Sequence, residues 1–414
     1  MLIMKIKKLL VKVYNKLYDV KEIVLLLINK VLIRTYSFFP LKNYIVLECE
    51  SDMDDNPRAL YEYWINNWIN KKYKLIWLVK NVEECKKLYY RKNVVFLNRL
   101  SVKSVNQIRL EYYLNFSKYF FFSHPYWFEK KRETQCVVNL WHGTPAKGPD
   151  LQNGKLKNCF DYITICNKNV EPFYNQFIDY RKDQIIYCGM ARNDYLINQN
   201  EASLIEIKRK IEIPLDDKLI ICMPTFKKSS RVRDYNIIDK FSLGVVNSEE
   251  DIIMFNEYLK QHNTHIVVKL HPLQDLSEIQ SVDLSNIHYL QNSDLLKNAI
   301  ILYELLACSD ALLTDFSSVY FDYLILNKPV GFFTELLAHS KRGAMVNNPE
   351  DYMAGEKIAN FTDLLLFIDN LNKGIDIYEN ERIKMNNFFN EGNNKSNSKH
   401  ITNIILGKKQ YSIS

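Results

Sequence analysis

From residue 44 onward, short runs of β-branched, aromatic and aliphatic residues alternate with longer segments of helical period. The first series reads YIVLECE, KLIWLVKN, NVVFLN, KYFFFSH, CVVNLW, DYITIC and QIIYCG, between Tyr44 and Gly189. Apolar runs of this length, bounded by polar and turn residues, predict buried strands. The segments between them, such as NPRALYEYWINNWINK, carry helical spacing, and Pro57 behind Asn56 suits a first helical turn. A second series, KLIICMPTF, THIVVKLHP, NIHYL, DALLTDF and KPVGFF, begins at Lys218. Such alternation predicts βαβ units and parallel sheets. The chain therefore reads as α/β, with doubly wound domains over residues 41–200 and 201–375 joined through the polar stretch near 195–215. Residues 376–414 read as helices followed by a polar tail, NEGNNKSNSKH, and a short apolar segment. Ligands of doubly wound sheets gather at the carboxyl ends of the strands, so a cleft between two such domains is the natural site.

Ahead of the first strand, apolar residues recur at Leu10, Val13, Leu17, Val20, Val24, Leu27 and Val31, the spacing of one helix face. Lys5, Lys7, Lys8, Lys12 and Lys16 crowd its free end. The longest apolar run, Ile23 to Ile28, is far short of the ~20 residues a bilayer demands, and no small-residue cleavage site follows. Residues 1–40 are thus expected neither to span a membrane nor to be removed. A basic amphipathic helix of this kind lies in an anionic membrane interface or packs on protein, and the lysine density at its free end favours the membrane-associating reading.

Composition narrows the class. A chain of 414 residues, 47% hydrophobic and 13% aromatic with 11 Gly and 11 Pro, buries sizeable cores and is not disordered. Its formal charge of +7 is spread out, which favours an anionic partner without the arginine-rich tract that reads nucleic acid. Eight cysteines never form a C-x-x-C pair, and several sit inside apolar runs, so they read as reduced thiols without zinc spacing.

Chemistry concentrates after four of the predicted strands. His142 follows CVVNLW, and His271 follows HIVVKL. Thr314, Asp315, Ser317 and Ser318 open a helix in TDFSSVYFD, while Arg192 and Asn193 follow IIYCGMA. Unpaired N–H groups at a helix start attract phosphate, and two serines add hydroxyl donors. The plainer reading is that Asp, Ser and Thr there only cap the helix. A histidine at a strand end is in the ordinary case simply hydrogen-bonded. As a base it takes a proton from an attacking hydroxyl, and as a donor it stabilises negative charge. Lys269, Arg192, Lys147, Lys227 and Lys228 are candidate counter-charges for an anionic substrate.

These motifs, in this order and spacing, resemble the CDP-glycerol glycerophosphotransferase family, the teichoic acid primases and polymerases of bacterial envelopes. The matching pieces are DNPRALYEYW, LWHGTPAKG, GMARNDYL, MPTFKK, VVKLHP, YELLACSDALLTDFSSVYFDYLILNKPVGFF and RGAMVNNPEDYMAGE, spanning residues 46 to about 360. The resemblance implies a GT-B fold, two Rossmann-like domains facing across a cleft, with the CDP donor on the second. It implies transfer of a polyol phosphate, glycerol phosphate foremost, from a CDP-activated donor to a hydroxyl, with release of CMP. His142 would be the base and His271 a contact to the donor pyrophosphate. Ser317 and Ser318, with Thr314 in the same turn, would bind phosphate, and Asp315 would join them or orient that loop; Arg192 and Asn193 would line the cleft, and Lys269 and Thr225 would serve the donor.

No cofactor is required on this reading, and Mg²⁺ is admitted only as a companion of the pyrophosphate. The implied acceptor is a polyprenyl-diphosphate-linked saccharide, and the implied place is the cytoplasmic face of the bacterial membrane, held peripherally; nucleic acid is no partner, and a homo-oligomer is compatible. Two departures stand out: ESDMDDNPRAL lacks a glycine-rich loop, and Ala354 replaces a usual proline. The rival readings are a GT-B glycosyltransferase using a nucleotide sugar and a non-catalytic membrane-associated assembly protein; a donor screen with CMP release as readout separates all three.

Overall fold

The computed structural model describes residues 31–32, 34–99, 105–124, 132–148, 155–156, 158–224, 241–270, 284–334, 346, 348–393 and 395–407. The N-terminal amphipathic segment up to residue 30, Thr225, His271 and the loop holding Lys227 and Lys228 lie outside them.

Thirteen strands form two sheets among the described residues. The first comprises β1 (Lys42–Glu48), β2 (Lys74–Val79), β3 (Val94–Asn98), β4 (Ser117–Phe122), β5 (Cys136–Asn139), β6 (Tyr162–Ile165) and β7 (Ile185–Tyr187), in the order β3-β2-β1-β4-β5-β6-β7. The second comprises β8 (Lys218–Met223), β9 (Thr264–Lys269), β10 (Ile287–Leu290), β11 (Ala311–Thr314), β12 (Val330–Phe333) and β13 (Glu356–Ile358), in the order β10-β9-β8-β11-β12-β13. Each order is doubly wound, reversing beside the first strand of its sheet, and neighbours such as β1 and β2 or β8 and β9 run parallel. Both faces of a parallel sheet are covered by helices, which explains why the strands read as unbroken apolar runs rather than alternations. In β9 all six residues are buried.

By their contacts the residues divide into two compact units: 1–53, 61–139 and 159–162 form one, and 54–60, 140–158 and 163–414 the other. The core of the second unit packs Ile220, Cys222, Phe255, Ile266, Val268, Leu313, Phe333 and Phe367 between the six-stranded sheet and the helices Glu249–Gln261 and Phe361–Lys373.

The polar stretch 390–400 is not a tail. Asn397–Gly407 is a helix whose first amides, Asn397 and Ser398, donate to the two carboxylate oxygens of Asp194 at 2.6 and 3.0 Å. An anionic cap at a helix start satisfies orphan donors that the local sequence leaves open. The Gly189 amide donates to the Gly392 carbonyl at 2.9 Å, and Asn397 Nδ2 to the Met190 carbonyl at 3.0 Å, so the last helix is tied to the segment carrying Arg192.

Candidate active site

β5 ends at Asn139, and the chain then turns sharply. Trp141 takes a left-handed φ of 53° and Gly143 a φ of 121°, the second reachable without strain only by glycine. The exposed carbonyls of this turn are met from elsewhere: Asn56 Nδ2 donates to the Trp141 carbonyl at 2.8 Å, and the Thr164 hydroxyl donates to that of Leu140 at 2.9 Å. Asn56 Oδ1 accepts the Arg192 amide at 3.0 Å, so one fully buried asparagine ties the turn to the 190s segment.

The turn 141–147, Phe177, Ser317 and Ser318 line one cavity of about 190 Å³. Within it the partly exposed polar side chains are His142, Ser317 and Ser318. The His142 ring lies 4.2 Å from the buried Trp141 ring, centroid to centroid. Ser317 is the N-cap residue of the helix Ser318–Tyr323, yet its side chain makes no capping hydrogen bond. The hydroxyl is therefore not used as the helix cap that the sequence also allows. A Cβ on Gly143 would fall 2.7 Å from Arg192 Nη2 and 3.2 Å from the Ser318 Cβ, so the histidine turn and the serine helix approach as closely as a glycine permits.

In and behind the cavity wall the charges are paired. Lys147 Nζ meets Asp315 Oδ2 at 2.7 Å, and Asp315 is fully buried. The Thr314 hydroxyl donates to the Met223 carbonyl at 2.8 Å. Arg192 does not line the cavity; it lies behind Gly143, its Nη1 at 2.6 Å from Asp55 Oδ1 and its Nη2 at 2.6 Å from Asp322 Oδ2. Burial pulls this guanidinium down, but Tyr303, Asp322 and Asp55 together hold it well above its ordinary range, so it stays a cation. Asn193 points to the C-terminal segment, its Nδ2 at 3.4 Å from Asn393 Oδ1.

Lys269, at the end of β9, is buried and donates to the Leu270 carbonyl at 2.9 Å and to Asn292 Oδ1. Burial pushes it down to about 8, against the pull of Asp54 and Asp294. Asp54 moves the other way: desolvation, then the adjacent Asp55, raise its carboxyl.

The structure therefore gathers His142, Ser317 and Ser318 around one cavity, sets Thr314, Asp315 and Arg192 behind it, and puts Lys269 and Asn193 among other partners. Sequence reasoning missed Asp55, Asn56, Asp322 and Tyr303. Asp322 left one trace: it stands four residues after Ser318, one helical turn along the same face. Among the described residues no three His, Cys, Asp or Glu side chains are grouped to hold a metal ion.

Two doubly wound parallel sheets, with a histidine turn and a serine-opened helix lining one cavity, give the chain a GT-B-like fold. The family model of CDP-Glycerol:Poly(glycerophosphate) glycerophosphotransferase matches residues 32–407, and the chain belongs to that family. It is 27% identical over 360 residues to a teichoic acid poly(glycerol phosphate) polymerase of Bacillus spizizenii, covering 80% of each chain. A protein of the same name from Bacillus subtilis is 28% identical over 303 residues, 67% of this chain but only 36% of the longer relative. A solved structure of the wall teichoic acid polymerase TagF, a variant soaked with CDPG, superposes with a TM-score of 0.72 at 24% identity, covering 95% of this chain and 96% of that one. That likeness establishes the fold.

Proposed function

We propose that the chain transfers a polyol phosphate, glycerol phosphate first, from its CDP-activated donor to a hydroxyl of a lipid-linked cell-envelope acceptor, with release of CMP, in teichoic acid synthesis. The observation that carries this reading is that His142, Ser317 and Ser318 share one cavity. Phosphoryl transfer asks chiefly for alignment and charge stabilisation. The acceptor oxygen attacks the polyol-bearing phosphorus while His142 takes the hydroxyl proton; a new P–O bond forms, the pyrophosphate P–O bond breaks, and CMP leaves with the electron pair. Ser317 and Ser318 hold the phosphate through their hydroxyls and the amides of their helix start. Neutral donors fit here, because Lys147 is paired with Asp315 and Arg192 with two carboxylates. Among the described residues those same pairings occupy the carboxylates of Asp55, Asp315 and Asp322.

The acceptor places the enzyme at a lipid surface, peripherally. Among the described residues no helix is long and apolar enough to cross a membrane. In the first unit, the amino-terminal ends of parallel strands collect cations on one edge: Lys42 begins β1, Lys71, Lys72 and Lys74 lead into β2, and Arg91 and Lys92 precede β3. Phe38 and Trp68, near Lys42 and Lys71 in the chain, are 87% and 65% exposed. Cations interleaved with exposed aromatic rings suit an anionic headgroup region.

The test is CMP release by purified protein given CDP-glycerol, CDP-ribitol and a panel of nucleotide sugars with a lipid-linked disaccharide acceptor. Release from one CDP-polyol, reduced about a thousandfold or more in His142→Ala, is the expected result. Release from a nucleotide sugar alone sinks the reading.

A further inference from the structure

Resting on the reading that His142 acts in the transfer, we propose that Tyr303 is a positioning residue for that reaction, holding the histidine turn through Asp322 and Arg192 without touching substrate. Tyr303 belongs to the helix Leu302–Cys308 and is buried. Its hydroxyl donates to Asp322 Oδ2 at 2.6 Å, the same oxygen that Arg192 Nη2 meets at 2.6 Å. Its ring centroid lies 4.7 Å from the Arg192 guanidinium carbon. One side chain therefore fixes the guanidinium from its face and, through Asp322, from its edge.

What Arg192 then fixes is the turn. Its Nη2 occupies the space a Gly143 side chain would need, and its amide is held by Asn56, which also holds the Trp141 carbonyl. His142 lies between these two points of support. Asp322 is on the helix that Ser318 opens, so the Tyr303–Asp322–Arg192 chain joins the phosphate-binding end of the cavity to its histidine end. Trp141 and Asp55 both carry left-handed φ angles, 53° and 61°, costs that persist only where neighbours over-determine the backbone. Asp55 is Arg192's other carboxylate, at 2.6 Å. With two carboxylates against one guanidinium the cluster cannot attract a phosphate, which assigns it to shaping the cavity rather than to binding the donor.

Tyr303→Phe keeps the ring and removes one hydrogen bond to a charged group. The proposal expects kcat for CMP release to fall about ten- to thirtyfold, with KM for CDP-glycerol within about twofold of wild type. Tyr320→Phe is the comparison. It removes another buried hydroxyl from the Ser318–Tyr323 helix, one that serves Tyr352 and Ala354 and not Arg192, and should leave kcat per folded molecule within about twofold. Equal losses in the two variants, or an unchanged kcat in Tyr303→Phe, overturn the proposal. A second readout is independent of turnover: in selectively labelled protein, the His142 ring resonance, assigned by its loss in His142→Ala, should shift or broaden in Tyr303→Phe and stay put in Tyr320→Phe. An unmoved His142 resonance also overturns the proposal, whereas a wild-type protein inert to CDP-polyols overturns only the transferase reading.

Discussion

The two edges of the six-stranded sheet both carry buried titratable groups and use them in opposite ways. At the amino edge, His265 near the start of β9 sits between Asp217 and His288 of β10, its ring nitrogens 3.0 Å from Asp217 Oδ2 and 3.0 Å from His288 Nε2. His265 thus spends its ring nitrogens on its neighbours, with Asn286 Nδ2 also 3.4 Å from its Nε2. At the carboxyl edge, past β11, the ion pairs lie one layer down, and His142, Ser317 and Ser318 are left around a cavity. A cluster of ionisable residues is therefore no signature of a site by itself. Positive φ occurs at both edges, at Asn263 as at Trp141; what separates them is Gly143, whose missing side chain lets two segments meet at the carboxyl edge.

The comparison breaks most sharply at Gly143. Gly143→Ala forces an L-residue into a φ of 121° with its Cβ 2.7 Å from Arg192 Nη2, so the cavity must deform. Steady-state CMP release should fall about a hundredfold while far-ultraviolet circular dichroism stays that of a folded protein. Wild-type turnover in this variant would mean that the close approach of turn and helix is incidental.

At the amino edge the expected effect is on stability alone. Burial, then the adjacent His265, push His288 down to about 4, below its unfolded value near 6.5. The fold thus binds fewer protons than the unfolded chain across that window. Its contribution is complete above about pH 6.5 and is lost as pH falls toward 4, roughly 2 kcal/mol after allowance for solvent screening. Urea denaturation between pH 4 and 7 should show this slope and His288→Gln should flatten it; a slope unchanged in the variant assigns the loss elsewhere.

The smallest effect concerns Lys269, at the other end of β9. With its ammonium lowered to about 8, it discharges in the folded protein well before the unfolded 10.5. If its charge serves the donor, KM for CDP-glycerol rises several-fold between about pH 7.5 and 9, while stability rises from pH 8 toward 10.5 because the unfolded chain holds the extra proton. A Lys269→Met variant with the same KM profile would remove Lys269 from donor binding.

The fold was legible where burial is two-sided. KLIWLV and HIVVK announce strands because each lies within a covered parallel sheet. The edge strand β13, Glu356–Ile358, escaped notice because three residues with two polar side chains carry no apolar run. The 390–400 stretch misled because its helix is capped by Asp194, two hundred positions earlier, and no local signal reports a distant cap. The same limit applies to the site. His142, Ser317 and Ser318 were visible as polar residues directly after strands. Asp55, Asp322 and Tyr303 were not, since they matter only through Arg192, which lies far from each of them in sequence.

The C-terminal tie has a consequence for how the molecule is made. A ribosome that has translated residues 1–390 has already produced both sheets, the cavity lining and the Arg192 cluster. At that point the Gly189 amide lacks the Gly392 carbonyl, the Met190 carbonyl lacks Asn397, and the Asp194 carboxylate lacks the helix it caps. Domains fold as they emerge, N-terminal parts first. The Arg192-bearing segment of the nascent chain is therefore pinned only when the residues around 397 leave the exit tunnel, so the backbone behind the cavity is the last part of this arrangement to be secured.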